Sequence, residues 1–198
     1  MKKVDFYWDI GSTNTYFALK LIQPVLARTK SELNLIPFNL GYVFRAHNYV
    51  LMDEPPAKLS NRRRDLIRWA QKYDLPFVMP DTFPIKTSRA LRAALVMREK
   101  NLEMPFVDAI FSAYWERNDA SISTYEGLGK IAELLGVSHD ELQTLAESEP
   151  IRRQLIDATN QGLDRGVFGV PSLIVDEELY WGKDRMEFVE AALRSDPD

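Results

Sequence analysis

Apolar and polar positions change period several times along the chain. Val4-Asp5-Phe6-Tyr7-Trp8-Asp9-Ile10 is rich in aromatic and β-branched residues and reads as a strand, and Gly11-Ser12-Thr13-Asn14 breaks it with cap-forming side chains. From Tyr16 onward, Phe17, Leu19, Leu21, Ile22, Val25 and Leu26 recur at near-helical spacing, with Pro24 expected to kink or distort the helix. Leu33 to Leu40 predicts a second strand. Pro37 places it at a sheet edge or marks its irregular end, and Gly41 closes it. Tyr42 to Leu59, a stretch that holds Asn48, Asp53-Glu54-Pro55-Pro56 and Lys58, lacks a clean period and reads as a long loop, a type of segment that often carries function.

Helical periods dominate the middle. Ser60 or Asn61 caps a helix expected to run to Tyr73, with Pro76 beyond its end, and Thr87 or Ser88 starts another through Ala90, Leu91, Ala94, Leu95 and Met97. Further helices are predicted from Pro105 to Trp115, from about Thr124 to Leu135, from Ser138-His139-Asp140-Glu141 as a capping box, and from about Pro150 to Arg165. The period of two then returns. Phe168-Gly169-Val170-Pro171 leads into a strand of Leu173, Ile174 and Val175, a polar turn follows at Asp176-Glu177-Glu178, and a short strand at Leu179-Tyr180-Trp181 precedes a closing helix.

Composition narrows the chemistry. The 198 residues are 45% hydrophobic, enough for a sizeable core, and 29 acids against 25 bases leave a net charge of −4, which disfavours nucleic acid as a partner. No apolar run approaches the roughly 20 residues that cross a bilayer, and the N-terminus lacks the hydrophobic run of a secretory signal, so a soluble cytoplasmic protein is expected. With no cysteine and only His47 and His139, no metal site and no thiol redox centre of the chain's own is expected, and Gly-rich phosphate loops are absent.

Ser12 stands where the first strand gives way to a helix. One reading is an ordinary N-cap. A Ser-His-Asp nucleophile is disfavoured, because neither histidine lies in a Gly-x-Ser-x-Gly context and Gly11-Ser12-Thr13 is not a nucleophile elbow. The Val170-Pro171 step favours a third reading. X-Pro bonds are the common place for cis geometry, and a cis bond here leaves a backbone N–H and C=O free to pair with an extended peptide. The pairing of such a step with a strand-to-helix junction is similar to thioredoxin-like proteins, which keep their attacking cysteine at the helix start. A serine there donates a hydrogen bond to the sulfur of a bound thiol while the helix terminus favours the thiolate. Lowering a thiol pKa from about 8.5 to near 7 takes roughly 2 kcal/mol, within reach of those two effects. Glutathione is the thiol this resemblance suggests.

The resemblance extends to a family. Asp5-Phe6-Tyr7-Trp8-Asp9 with Ser12, Leu40-Gly41 and Asn48, Asp65-Leu66-Ile67-Arg68-Trp69-Ala70 with Leu75-Pro76-Phe77 and Pro80, Val167 to Pro171, and Trp181-Gly182-Lys183-Asp184-Arg185 together resemble 2-hydroxychromene-2-carboxylate isomerases and, more distantly, kappa-class glutathione transferases. The resemblance implies an α/β fold of thioredoxin type, residues 1–45 and 167–198, interrupted by a helical domain at 46–166, in a homodimer that uses glutathione and a small aromatic carboxylate. It also implies roles. Ser12 steadies the thiolate, Asn48, Lys58, Val170, Pro171 and Asp184 hold glutathione, and Lys58, Asn48 and His47 meet the substrate. The implied reaction is cis-trans isomerisation of 2-hydroxychromene-2-carboxylate to trans-o-hydroxybenzylidenepyruvate in naphthalene-type degradation, by reversible thiolate addition. A kappa-like transferase or peroxidase and a non-catalytic peptide-binding module are the alternatives.

Three departures from the family pattern stand out. Its Ser-Pro-Tyr/Phe-Ser-Tyr run is Ser12-Thr13-Asn14-Thr15-Tyr16 here, Asn61 replaces an aromatic hydroxyl, and Lys183 replaces an amide after Trp-Gly. Arg62-Arg63-Arg64 reads as a solvated helix face, with an anion funnel as the other reading. Trp8, Phe44, Trp69, Phe83 and Trp115 suggest an aromatic pocket as one reading, but most such residues are expected in the core, and His139 is expected on the surface.

Overall fold

The computed structural model describes residues 1–50 and 54–195. Strand β1 (Lys3–Trp8) leads into helix α1 (Thr13–Thr29) and strand β2 (Glu32–Pro37), which pairs parallel to β1 from Lys3 opposite Glu32 to Trp8 opposite Pro37. There follow α2 (Leu40–Ala46), α3 (Pro56–Lys72), α4 (Ser88–Glu99), α5 (Glu103–Arg117), a 3₁₀ turn at Ala120–Ser123, α6 (Tyr125–Leu134), α7 (His139–Ala146) and α8 (Glu149–Asp164). Strands β3 (Ser172–Val175) and β4 (Glu178–Trp181) then complete a four-stranded sheet of order β2-β1-β3-β4, antiparallel at β1–β3 and β3–β4, and α9 (Met186–Arg194) closes the chain. This is a thioredoxin-like fold carrying helices between its second and third strands.

Both faces of β1 are covered, and its alternate residues serve two different clusters. Val4, Phe6 and Trp8 join one core with Phe17 and Ile22 of α1 and Val189 of α9, while Tyr7 packs with Phe38, Val43, Val167, Val170 and Ile174. Helix α8 presses on that second face. A Cβ at Gly162 would meet Tyr7 Cε1 at 2.9 Å and Phe38 at 3.0 Å, so only glycine lets the helix backbone come this near the rings. Tyr7 and Phe38 themselves meet edge-on at 6.2 Å.

One stretch differs from expectation. Tyr42 to Leu59 is not a single loop: α2 occupies its beginning, with Gly41 inside that helix, and α3 starts at Pro56, upstream of Ser60. Local chemistry at the helix starts explains this. Asn39 accepts the Tyr42 N–H at 3.1 Å as an N-cap, and Pro56 fits a first-turn position where no N–H is needed. The period is faint because each helix buries one side chain, Val43 in α2 and Leu66 in α3. Asp53 of that stretch lies outside the described residues, as do residues 196–198. Helix α1 runs continuously through Pro24, and β2 lies at the sheet edge with Pro37 as its last residue. His139 lies at the surface, its side chain 35% exposed and its ring over Gly129. Among the described residues no helix is long and apolar enough to cross a membrane.

Candidate functional site

Ser12 has extended backbone angles and caps α1. Its Oγ accepts the Thr15 N–H at 3.3 Å and donates to the Val170 carbonyl at 3.2 Å. The Val170–Pro171 peptide is cis, so the strand-to-helix junction and the proline step face each other across one hydrogen bond. The Val170 N–H makes no hydrogen bond among the described residues, an unfilled donor beside the Ser12 hydroxyl. No acid lies in the first turn of α1. The positive end of the helix is therefore offset by no carboxylate of its own.

Asp9 fixes this junction from beneath. It is 1% exposed and accepts the Gly11 N–H at 2.9 Å, the Leu40 N–H at 3.0 Å and the Thr87 hydroxyl at 3.1 Å, tying the β1–α1 turn to the starts of α2 and α4. Burial raises its pKa to about 6, against the lowering effect of those three donors.

In front of Ser12 opens a cavity of about 980 Å³, at the upper end of the usual range for small-molecule sites. Gly11 to Asn14 and Phe168 to Val170 form one wall; Leu40, Val43, Phe44, Leu66, Met79 and Phe83 supply apolar surface. At the mouth, half-exposed Phe168 and Trp181 face each other with ring centroids 5.2 Å apart. Helix α3 brings Lys58, Arg62 and Arg63 to the wall, where Glu54 pairs with Lys58 at 2.8 Å and also with Arg62. Two of the three arginines of the basic run thus face the cavity, and Arg64 does not. Three cations against one acid leave the lining electropositive.

The residues singled out in the sequence fall into two groups. Ser12, His47, Lys58 and Val170 line the cavity. Pro171 is buried behind Val170, and Asn48 and Asp184 lie outside the lining: Asn48 is exposed in a left-handed conformation after α2, and Asp184 accepts a 2.7 Å hydrogen bond from Arg185. Of the aromatic residues, Trp8 and Trp115 are fully buried, Trp115 donating to the Ile10 carbonyl at 2.9 Å, whereas Phe44 and Phe83 reach the cavity. Glu54, Tyr49, Leu59 and Met79 belong to the lining without any signal in the sequence. Trp181 and Phe168 sat inside motifs that were visible, but their place at the mouth depends on the turn of the chain at Pro171.

Two residues far apart in the chain meet beside the first turn of α1. Lys183 Nζ donates to Asn14 Oδ1 at 3.0 Å and lies 4.7 Å above the Trp69 ring. Burial lowers its pKa below that of a free lysine, with Asp65 and Asp184 acting in the opposite sense.

Fold and site define a thioredoxin-like protein, and residues 3–194 match the family model of the DSBA-like thioredoxin domain. A 2-hydroxychromene-2-carboxylate isomerase of Sphingobium xenophagum is 30% identical over 194 residues, covering 97% of this chain and 98% of the relative. Glutathione S-transferase kappa 1 of Caenorhabditis elegans is 26% identical over 212 residues, with 98% and 92% covered. A solved structure of a 2-hydroxychromene-2-carboxylate isomerase matches with a TM-score of 0.84 at 26% identity, over 96% of this chain and 94% of that one. Within the DSBA-like thioredoxin domains, the chain belongs to the 2-hydroxychromene-2-carboxylate isomerase family and is an enzyme of that family.

Proposed function

We propose that the protein is a glutathione-dependent isomerase that converts 2-hydroxychromene-2-carboxylate, or a close aromatic analogue, to the trans-o-hydroxybenzylidenepyruvate form. One observation carries the reading. In a chain without cysteine, Ser12 Oγ stands 3.2 Å from the carbonyl of the cis Val170–Pro171 step, at a helix N-terminus and in the wall of a large apolar cavity. The unfilled Val170 N–H and the electropositive lining suit a peptide bearing a thiol and carboxylates, and the family relatives include a kappa glutathione transferase.

Bound glutathione supplies a thiolate that adds reversibly to the conjugated carbon of the substrate, so that a double bond becomes a rotatable single bond until the thiolate leaves. The chain's residues prepare this chemistry. Ser12 turns its hydroxyl proton from the Val170 carbonyl toward sulfur, while the Thr15 N–H continues to fix its oxygen. Val170 pairs its N–H and C=O with the cysteinyl backbone, and Pro171 holds that edge outward. Lys58, with Asn48 and His47 nearby in the chain, holds carboxylates and developing negative charge, and Asp184 receives the glutamyl ammonium. The division at residues 45/46 and 166/167 and a homodimeric assembly belong to the same proposal.

Transferase chemistry is the second reading, favoured by the two kappa relatives of Caenorhabditis elegans. Assays with glutathione and either 2-hydroxychromene-2-carboxylate or chlorodinitrobenzene separate the two. The isomerase reading predicts turnover of the first without net consumption of glutathione. It further predicts that Ser12→Ala lowers kcat/KM about tenfold to hundredfold. Conjugate formation without isomerisation contradicts it.

A further inference from the structure

We infer that Lys183 is a positioning residue for the bound thiolate: its ammonium, clamped between Trp69 and Asn14, fixes the first turn of α1 and adds positive potential beside Ser12. The inference rests on the glutathione reading above and deepens it by naming a residue that sets the ionisation of the borrowed sulfur.

Three observations converge. First, Asn14 and Lys183 are 169 positions apart, and the fold hydrogen-bonds them to each other at 3.0 Å.

Second, the arrangement breaks two local rules. A cation is unfavourable at a helix N-terminus, and Asn14 is the second residue of α1; an ammonium is also unfavourable when taken out of water without a carboxylate partner. Lys183 is half-buried, and among the described residues no carboxylate oxygen lies within ion-pair distance of its Nζ. The acids that bear on it, Asp65 of α3 and Asp184, are engaged elsewhere: Asp184 with Arg185, Asp65 near Arg68. Lys72 also approaches the Trp69 ring, at 5.7 Å. Local violations of this kind mark functional sites, where the missing partner arrives with the ligand.

Third, the cavity that Asn14 lines offers an anion a seat. Asn14 lines the cavity two residues beyond Ser12, and the first turn of α1 contains no acid. An anion held by Ser12 at the end of α1 relieves both the helix terminus and Lys183. By linkage, the same cation favours the thiolate over the thiol. The Trp69 ring face supplies the cation's support without neutralising it, which a carboxylate would do.

The test is the ultraviolet titration of the thiolate of reduced glutathione bound to wild type, Lys183→Met and Lys183→Arg, with S-methylglutathione affinity measured in parallel. Methionine retains the packing on Trp69 and removes the charge. The expected result is a raised thiol pKa in Lys183→Met, seen as about threefold to tenfold less thiolate at neutral pH, a near-normal titration in Lys183→Arg, and S-methylglutathione affinity within about twofold throughout. Should Lys183→Met fail to fold, Lys183→Gln keeps a donor to Asn14 and removes only the charge. A charge-removing variant that titrates like wild type overturns the inference. So does one that loses affinity for S-methylglutathione while the thiol pKa stays put, because Lys183 would then be a contact for a ligand carboxylate. Absence of any thiolate absorbance with the wild type would instead overturn the glutathione reading, and this inference with it.

Discussion

At Asp9, burial and hydrogen bonding pull in opposite directions, and burial wins, raising the carboxyl from 3.8 to about 6. The folded state therefore holds this proton more tightly than the unfolded chain. Stability from this group is fully present below about pH 4 and is lost as pH rises through about 6, a change of about 3 kcal/mol if complete. Asp9→Asn removes the titration while leaving one amide oxygen to meet three donors. Denaturant unfolding between pH 4 and pH 7 should show the wild type losing stability relative to Asp9→Asn as pH rises. Parallel curves for the two proteins would contradict the assignment. The same side chain shows why a site can be half-visible. Ser12 and Pro171 are legible because a cap at a strand end and a proline before a strand each have a mechanism in local backbone chemistry. Asp9 reads as one more polar residue in a strand, since its partners Leu40 and Thr87 are 31 and 78 positions away.

Among the elements, those with two-sided burial were the most readable. Strands β1 and β3 and helices α4 and α5 carry dense apolar runs, and their predicted positions lie within a few residues of those observed. Helix α2 and the first turn of α3 carry almost no period because they face the cavity and solvent rather than the core, which is why the stretch holding Lys58 reads as a loop in the sequence, whereas the rest of α3, from Ser60 on, reads as a helix. The functional consequence is concrete: Lys58 lies one turn before the adjacent pair Arg62 and Arg63 on a single helix, so the basic lining keeps its spacing. Helix α8 offers a direct test of packing against the sheet. Gly162→Ala places a methyl group within 2.9 Å of Tyr7 and 3.0 Å of Phe38, and should destabilise the protein by about 1 to 3 kcal/mol. Since Tyr7 and Phe38 share a cluster with Val167 and Val170, the variant should also weaken binding at the Val170 edge. Unchanged denaturation and unchanged glutathione affinity would show that α8 yields without consequence.

On the scale of the whole molecule, chain connectivity explains what local pattern cannot. Residues near 12 and near 170 become neighbours because β1 and β3 pair in the sheet, with Tyr7 opposite Ser172, and the helices between β2 and β3 return across the cavity formed at that junction. The thioredoxin-like frame and the two ends of the site were legible, because each end is a short segment with strict backbone needs. The cavity walls were not, because Glu54, Met79 and Phe83 acquire a common surface only through tertiary packing. This frame holds no cysteine but keeps the proline edge and the helix terminus, and the proposed function has a ligand bring the sulfur. Titration of glutathione bound to the wild type and to Ser12→Ala tests that claim most directly. The account predicts a wild-type thiol that ionises near pH 7 and a variant in which it returns toward the free value of about 8.5; coincident curves at the free value for both proteins would contradict it.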